Sequence, residues 1–195
     1  MNYLVVSDKK ILLFNEYDCS EILVNDDGLK RYISFKPCLL PHSSGRHEHK
    51  RFHKSNIHVV ERLVNKLMSP GRNNGKKMLT MNAMNRAFKI IQIKTGMNPV
   101  QVLVNAIVNS APREETTRIS YGGIVFHSAV DSAPQRRVDV GLALIATAIK
   151  SDSFNNLKSY EELIAEQIIL AGSNDPRSFA VKKKQDMERV ALAAR

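Results

Sequence analysis

The chain has 195 residues, 43% of them hydrophobic, and a formal net charge of +10 from 29 Lys/Arg against 19 Asp/Glu. That length supports one domain with a real core, and no apolar run approaches the roughly 18 residues of a membrane span. The first residues, MNYLVVSDKK, do not read as a signal peptide, and Cys19 and Cys38 form no CxxC pair, so the expectation is a soluble, cytosolic chain with free thiols and no membrane partner. The charge is unevenly spread. Residues 1–45 carry a net −1 and residues 96–195 a net +1, whereas residues 46–95 hold 12 Lys/Arg against 2 Asp/Glu. Such a density of like charge is costly without a polyanion, which points to nucleic acid or an acidic surface.

Residues 1–54 read as an N-terminal extension. Leu4-Val5-Val6, Ile11-Leu12-Leu13-Phe14 and Ile22-Leu23-Val24 are short apolar runs between polar turns, expected as strands or as extended segments laid on a partner. The run from Arg46 to Lys54 is basic, with Phe52 as its one aromatic, and fits either a solvated tail or a polyanion contact.

From Ser55, a candidate N-cap, the period becomes helical, and Ile57, Val60, Val64 and Leu67 share a face. Ser69-Pro70-Gly71 ends this helix. After the loop Gly71 to Lys77, a second helix aligns Met81, Met84, Phe88 and Ile91 and closes at Gly96. Asn98-Pro99 opens a third, with Val100, Leu103, Val104, Ile107 and Val108 facing inward, and Ala111-Pro112 stops it.

Residues 113–131 turn β-branched and apolar around Tyr121-Gly122-Gly123, where paired glycines supply the positive φ of a tight hairpin turn. The arm has charged roots, Arg113 and Arg118 going out and Arg136 and Arg137 coming back, and no core of its own, so it reads as a reaching device. Asp131-Ser132-Ala133-Pro134 restarts a helix, with an Asp/Ser cap candidate and a proline in the first turn, and this helix carries Val138, Leu142, Ile145 and Ile149. Ser159-x-x-Glu162 is a capping box for the next helix, ending near Gly172, and Asp175-Pro176 starts the last. The fold class is mainly α: a six-helix core over residues 55–195 with one protruding hairpin and an extended N-terminal segment.

No chemistry of catalysis emerges. The loop Gly71 to Lys77 differs from the nucleotide-binding GxxxxGK[ST] because its glycines stand one residue too close and Lys77 replaces the hydroxyl residue. It suits either a solvated connector or a grip on a nucleic-acid backbone through Arg72, Lys76 and Lys77. Five of six histidines lie between His42 and His58 without cysteines at zinc-finger spacing, so no metal site and no cofactor are called for. Glu114 and Glu115 are expected to pair with Arg113 and Arg118 or with basic neighbours. Three adjacent lysines, Lys182 to Lys184, sweep most of a helix circumference, so at least two project outward, toward solvent or RNA.

Five blocks in order carry a resemblance: Lys50-Arg51-Phe52-x-Lys54; Gly71 to Lys77; Asn98-Pro99-x-Gln101-Val102; Asn109 to Arg118 with Ala129-Val130-Asp131 and Pro134-x-Arg136-Arg137; and Lys182-Lys183-Lys184-x-x-x-Glu188-Arg189-Val190-Ala191. Together they resemble the small-subunit ribosomal protein seven family, protein five in eukaryotic nomenclature, from about Leu13 to Arg195. The loop Arg72 to Lys77 and Leu13-Phe14-Asn15 look like its eukaryotic cytosolic branch. The resemblance implies a helical, non-enzymatic protein of the small-subunit head that binds the 3′ major domain of the rRNA and helps to nucleate head assembly. It also implies a hairpin near messenger RNA and exit-site tRNA, neighbouring ribosomal proteins as partners, and a cytoplasmic place with assembly beginning in the nucleolus. It puts rRNA grip on Lys50, Arg51, Lys54, Arg72, Lys76, Lys77, Arg136 and Arg137, with Arg113, Arg118, Lys182, Lys183 and Lys184 as further candidates, and the hairpin tip at Tyr121, Gly122 and Gly123. The returning strand departs from the family in carrying Ile124-Val125-Phe126-His127 where arginines are common, an apolar stretch fit to meet a protein neighbour. Lys150 and Asn155 likewise stand where arginines are frequent. The runner-up is a free-standing nucleic-acid-binding regulator using the same basic face.

Overall fold

A computed structural model describes residues 11–45, 50–68, 71 and 73–195 of the chain. Seven α-helices and one hairpin follow in order: α1 (Asp27–Lys30), α2 (Val59–Leu67), α3 (Lys77–Thr95), α4 (Pro99–Ser110), β1 (Glu114–Tyr121), β2 (Ile124–Asp131), α5 (Pro134–Ser153), α6 (Tyr160–Gly172) and α7 (Phe179–Ala193). A 3-10 turn, His53–Asn56, precedes α2. The six longer helices are those expected from periodicity; α1 is a single turn inside the N-terminal segment.

Helix α4 is the centre, because its sequence is apolar nearly all round. Val100, Val102, Leu103, Val104, Ala106 and Ile107 are buried, and α3, α5, α6 and α7 all pack against it. Two glycines permit close approach. A Cβ on Gly172 of α6 would lie 3.1 Å from Val102 Cγ1 and 3.2 Å from the Val102 carbonyl oxygen, and one on Gly141 of α5 would lie 3.2 Å from the Ile107 carbonyl oxygen. Asn109 of α4 then donates from Nδ2 to the carbonyls of Ala171 and Gly172, both at 2.9 Å, satisfying the end of α6.

Local chemistry sets several helix ends as the sequence suggests. Asn98 accepts the Val100 N–H at 3.0 Å with Pro99 in the first turn of α4. Ser159 and Glu162 make the reciprocal capping box of α6, and Gly96 closes α3 at φ 67°. Two expected caps and one expected helix start are displaced. Ser55 lies inside the 3-10 turn with its hydroxyl buried, and His58 caps α2 instead, its Nδ1 accepting the Val60 N–H at 3.2 Å. Ala133, with no side-chain acceptor, occupies the cap position of α5, while Ser132 spends its backbone N–H on the Arg113 carbonyl at 2.9 Å to close the hairpin root. Asp175 accepts the Arg177 N–H in a turn, so α7 begins only at Phe179.

The described part of the N-terminal segment packs on the chain's own core. Leu13, Tyr17, Leu29 and Ile33 are buried in the same apolar cluster as the helices. Phe88 of α3 receives Phe14 and Tyr17 edge-on, with ring centroids 6.1 and 5.8 Å away. Residues 22–24 do not form a strand. The Gln101 amide takes the place of one, accepting the Leu23 N–H and donating to the Leu23 carbonyl, both at 2.9 Å. The run Leu4-Val5-Val6 lies outside the described residues.

The hairpin pairs Glu114 with Asp131 at its root and Tyr121 with Ile124 at its tip, turning through Gly122 (φ 58°) and Gly123 (φ 84°). Two successive positive φ values are the signature of the tight turn matched to strand twist. Its root rests on α7, where Glu188 accepts the Arg113 N–H at 2.9 Å, while the outer halves of both strands are exposed.

Candidate nucleic-acid interface

The cations expected to grip RNA separate into two groups once their partners are known. Lys54, Lys77, Arg136, Arg137 and Lys184 are each engaged by a carboxylate. Lys54 Nζ meets Asp139 at 2.7 Å, and the same carboxylate takes buried Arg62 at 2.8 Å. Burial raises the affinity of Asp139 for a proton, but the Lys54 and Arg62 hydrogen bonds outweigh it and hold the carboxyl below its usual range. Lys77 Nζ lies 2.6 Å from Glu61, whose side chain is only 3% exposed and also accepts the N–H and hydroxyl of Ser43. Arg136 is a two-pronged partner of Glu115 at the hairpin root. Arg137, half-buried, donates to Asp26 at 2.8 Å and to the Pro112 carbonyl, tying α1 to the start of the arm. Lys184 faces Glu188 one turn along α7 at 3.8 Å.

The expected pairing of Glu114 and Glu115 with Arg113 and Arg118 is corrected here. Glu115 reaches Arg136 on α5, and Glu114 pairs with Arg195 at the end of the chain. Arg118 stands opposite His127 in the hairpin ladder, beyond the root where those carboxylates lie.

Lys50, Arg51, Lys76, Arg113, Arg118, Lys182 and Lys183 form the second group and are exposed. Lys182 and Lys183 project outward while Lys184 is partly covered. Arg51 lays its guanidinium over Phe52, 4.9 Å from the ring centroid. Burial would raise the Asp26 carboxyl, but the Arg137 hydrogen bond and charge outweigh it, with Arg113 adding the smallest share of the lowering. Lys76 stands before α3, a 19-residue helix with no side-chain cap and no acidic residue in its first turn, so the helix end adds positive field to a basic loop. Arg72, like residues 46–49, 69 and 70, lies outside the described residues. Lys66 was not among the expected contacts. It is exposed on α2, and its position opposite the Val60–Val64–Leu67 face in the basic quarter of the chain was the signal for it.

On the hairpin, opposed residues share a face. Tyr121 and Ile124, then Ile119 and Phe126, make an exposed apolar quartet, with Tyr121 82% exposed. The other face carries Ser120, Val125, Arg118 and His127. The tip is therefore two-sided: apolar on one face and basic on the other.

Among the described residues no centre for acid–base or nucleophilic chemistry is assembled. The carboxylates with lowered proton affinity owe it to structural cations, and burial pushes the Cys19 thiol up to about 11, away from reactivity. Cys19 and Cys38 are free thiols. Among the described residues no three His, Cys, Asp or Glu gather as metal ligands, and no helix is long and apolar enough to cross a membrane.

The family model described as Ribosomal protein S7p/S5e matches residues 29–195. The chain is 46% identical over 187 residues to the small ribosomal subunit protein uS7 of Archaeoglobus fulgidus, covering 96% of each. It is 49% identical over 182 residues to that of Methanosphaera stadtmanae (93% of this chain, 97% of the relative). Against that of Cenarchaeum symbiosum it is 48% identical over 195 residues (96% and 98%). All three relatives are archaeal. They lend no support to the eukaryotic branch expected from the Arg72–Lys77 loop and Leu13-Phe14-Asn15, nor to assembly in a nucleolus.

Proposed function

The chain belongs to the Ribosomal protein S7p/S5e family, and on that premise we propose that it grips the 3′ major domain of the rRNA in the small-subunit head and extends its hairpin toward messenger RNA and exit-site tRNA. At the coarser level the family fixes the role: a structural, non-enzymatic component of the small ribosomal subunit that works in translation on cytoplasmic ribosomes with rRNA and other ribosomal proteins. The observation that carries the finer reading is the two-sided arm. Eight-residue strands at about 3.3 Å per residue reach roughly 25 Å, and their outer halves are exposed.

In this reading Lys50, Arg51, Lys76, Lys182 and Lys183, with Arg72, contact rRNA phosphates, and Arg113 and Arg118 carry the contact along the arm. Lys54, Lys77, Arg136, Arg137 and Lys184 shape the same surface while bound to their carboxylates. Recognition through phosphate position and RNA shape suits a scaffold around a folded junction. The Arg118 face of the tip turns to RNA, and the Ile119–Tyr121–Ile124–Phe126 face meets a neighbouring ribosomal protein.

A photo-cross-linking amino acid placed at position 118 or at position 124, in small subunits assembled with each variant, tests this assignment. Position 118 is expected to cross-link RNA and position 124 protein. Particles that contain the variant yet give no RNA cross-link from 118 would refute it.

A further inference from the structure

Between α2, α5 and the turn before α2 lies an open groove of about 530 Å³ that none of the ion pairs above fills. Its floor includes Val140 and Leu144 of α5, its rim carries Lys54, Lys66 and Arg136, and Phe52 stands in its wall. Phe52 is held in an unusual way. Its backbone is left-handed (φ 61°, ψ 3°), a conformation that a bulky residue rarely adopts, and its side chain remains 48% exposed. Tyr32 packs tilted against the ring at 6.2 Å, and Arg51 lies over it. Phe52 thus stands half-exposed at the side of an apolar slot rimmed by cations, and the exposed Arg51 side chain over its ring is the group that an incoming base would displace.

We propose that this groove receives one unstacked nucleobase of the bound RNA, with Phe52 as its stacking wall. The apolar floor takes the flat base, and exposed Lys66 takes a flanking phosphate, while Arg136 stays on Glu115 and closes the rim. Asp139 does not repel them, because Lys54 and Arg62 already neutralise it. The positive rim favours a nucleotide over an apolar protein segment. Base–aromatic stacking tolerates any base identity, so the groove selects an unpaired, extruded nucleotide and not a sequence. The inference rests on the rRNA-binding reading above and adds to it a defined contact of a different kind: apolar, and independent of salt.

The test is binding of the full-length protein to a transcript of the 3′ major domain of an archaeal small-subunit rRNA, across a salt series, with Phe52→Leu, Phe52→Tyr and Ala143→Leu. Ala143 lines the same groove, and leucine there fills it without touching Phe52 or the charge. Loss of one stacked base weakens binding about 5- to 150-fold. Phe52→Leu and Ala143→Leu are expected to show that loss with the slope of log K against log salt unchanged, and Phe52→Tyr to bind like the parent. Should Phe52→Leu fail to fold, Ala143→Leu decides alone. Parental affinity in either folded variant would overturn the proposal and leave a protein segment as the occupant. If the parent chain itself binds the transcript no better than an unrelated duplex of equal length, it is the rRNA reading that fails.

Discussion

Replacing Lys77 with glutamine separates a cation that holds the fold together from one that holds RNA. Lys77 Nζ lies 2.6 Å from Glu61, a side chain 3% exposed, and the other partner of that carboxylate is Ser43. Removing one member of a buried pair costs about 3–5 kcal/mol, because the remaining charge is left in a medium that solvates it poorly. The two Ser43 hydrogen bonds survive, so the lower end applies: about 3 kcal/mol, or a fall in Tm of roughly 6–12 °C for a chain of this size. Burial alone would raise the Glu61 carboxyl, yet Lys77 and Ser43 hold it below 4.5. Its stabilising effect is therefore present above the unfolded value and lost as pH falls through the folded one. The difference between parent and variant should shrink in acid, once Glu61 is protonated in both. Urea unfolding at pH 7 and at acid pH measures this, and a salt titration of RNA binding completes it. The expected slope is that of the parent. An unchanged unfolding midpoint, with a slope flattened by about 0.9, would show instead that Lys77 faces phosphate.

The opposite behaviour is expected of Lys182→Gln/Lys183→Gln: an unchanged Tm and a salt slope flattened by roughly 1.4–1.8, at about 0.7–0.9 per phosphate contact. Gly172→Ala should destabilise by about 1–3 kcal/mol in urea unfolding, since its Cβ would meet Val102 backbone and side chain together. His58 is 5% exposed, and burial holds its imidazole down to about 4, with Glu61 opposing only in part. The unfolded chain then binds the extra proton between pH 6.5 and 4, so stability falls through that window as pH drops, by about 3 kcal/mol from this group. His58→Asn keeps a capping acceptor and should lose that component of the pH dependence.

What the sequence disclosed depended on how local the chemistry is. The helix faces were readable, because Met81, Met84, Phe88 and Ile91 fall on one side by spacing alone and all are buried. The capping box at Ser159 and the Asn98 cap were readable for the same reason: acceptor and donor stand within three residues. Ser55 and Ser132 misled because a hydroxyl before an apolar run also occurs in a turn, and only the surrounding packing decides which. Apolar runs without a period, such as Ile11 to Phe14, show that something must cover them but not what; here it is Phe88, some 70 positions on. The cations were legible as charge and illegible as contacts. Arg62 and Asp139 are separated by 77 positions and Arg137 and Asp26 by 111, so no window of sequence shows which charges are already spent within the fold.

The most direct test of the ribosomal role is sedimentation of a gentle lysate through a sucrose gradient, repeated after a high-salt wash, with this protein followed across the fractions. The protein is expected to stay with small subunits and whole ribosomes through the wash, as a chain anchored by many phosphate contacts and by protein neighbours would. Release into the light fractions at moderate salt would contradict it and mark the protein as a peripheral binder.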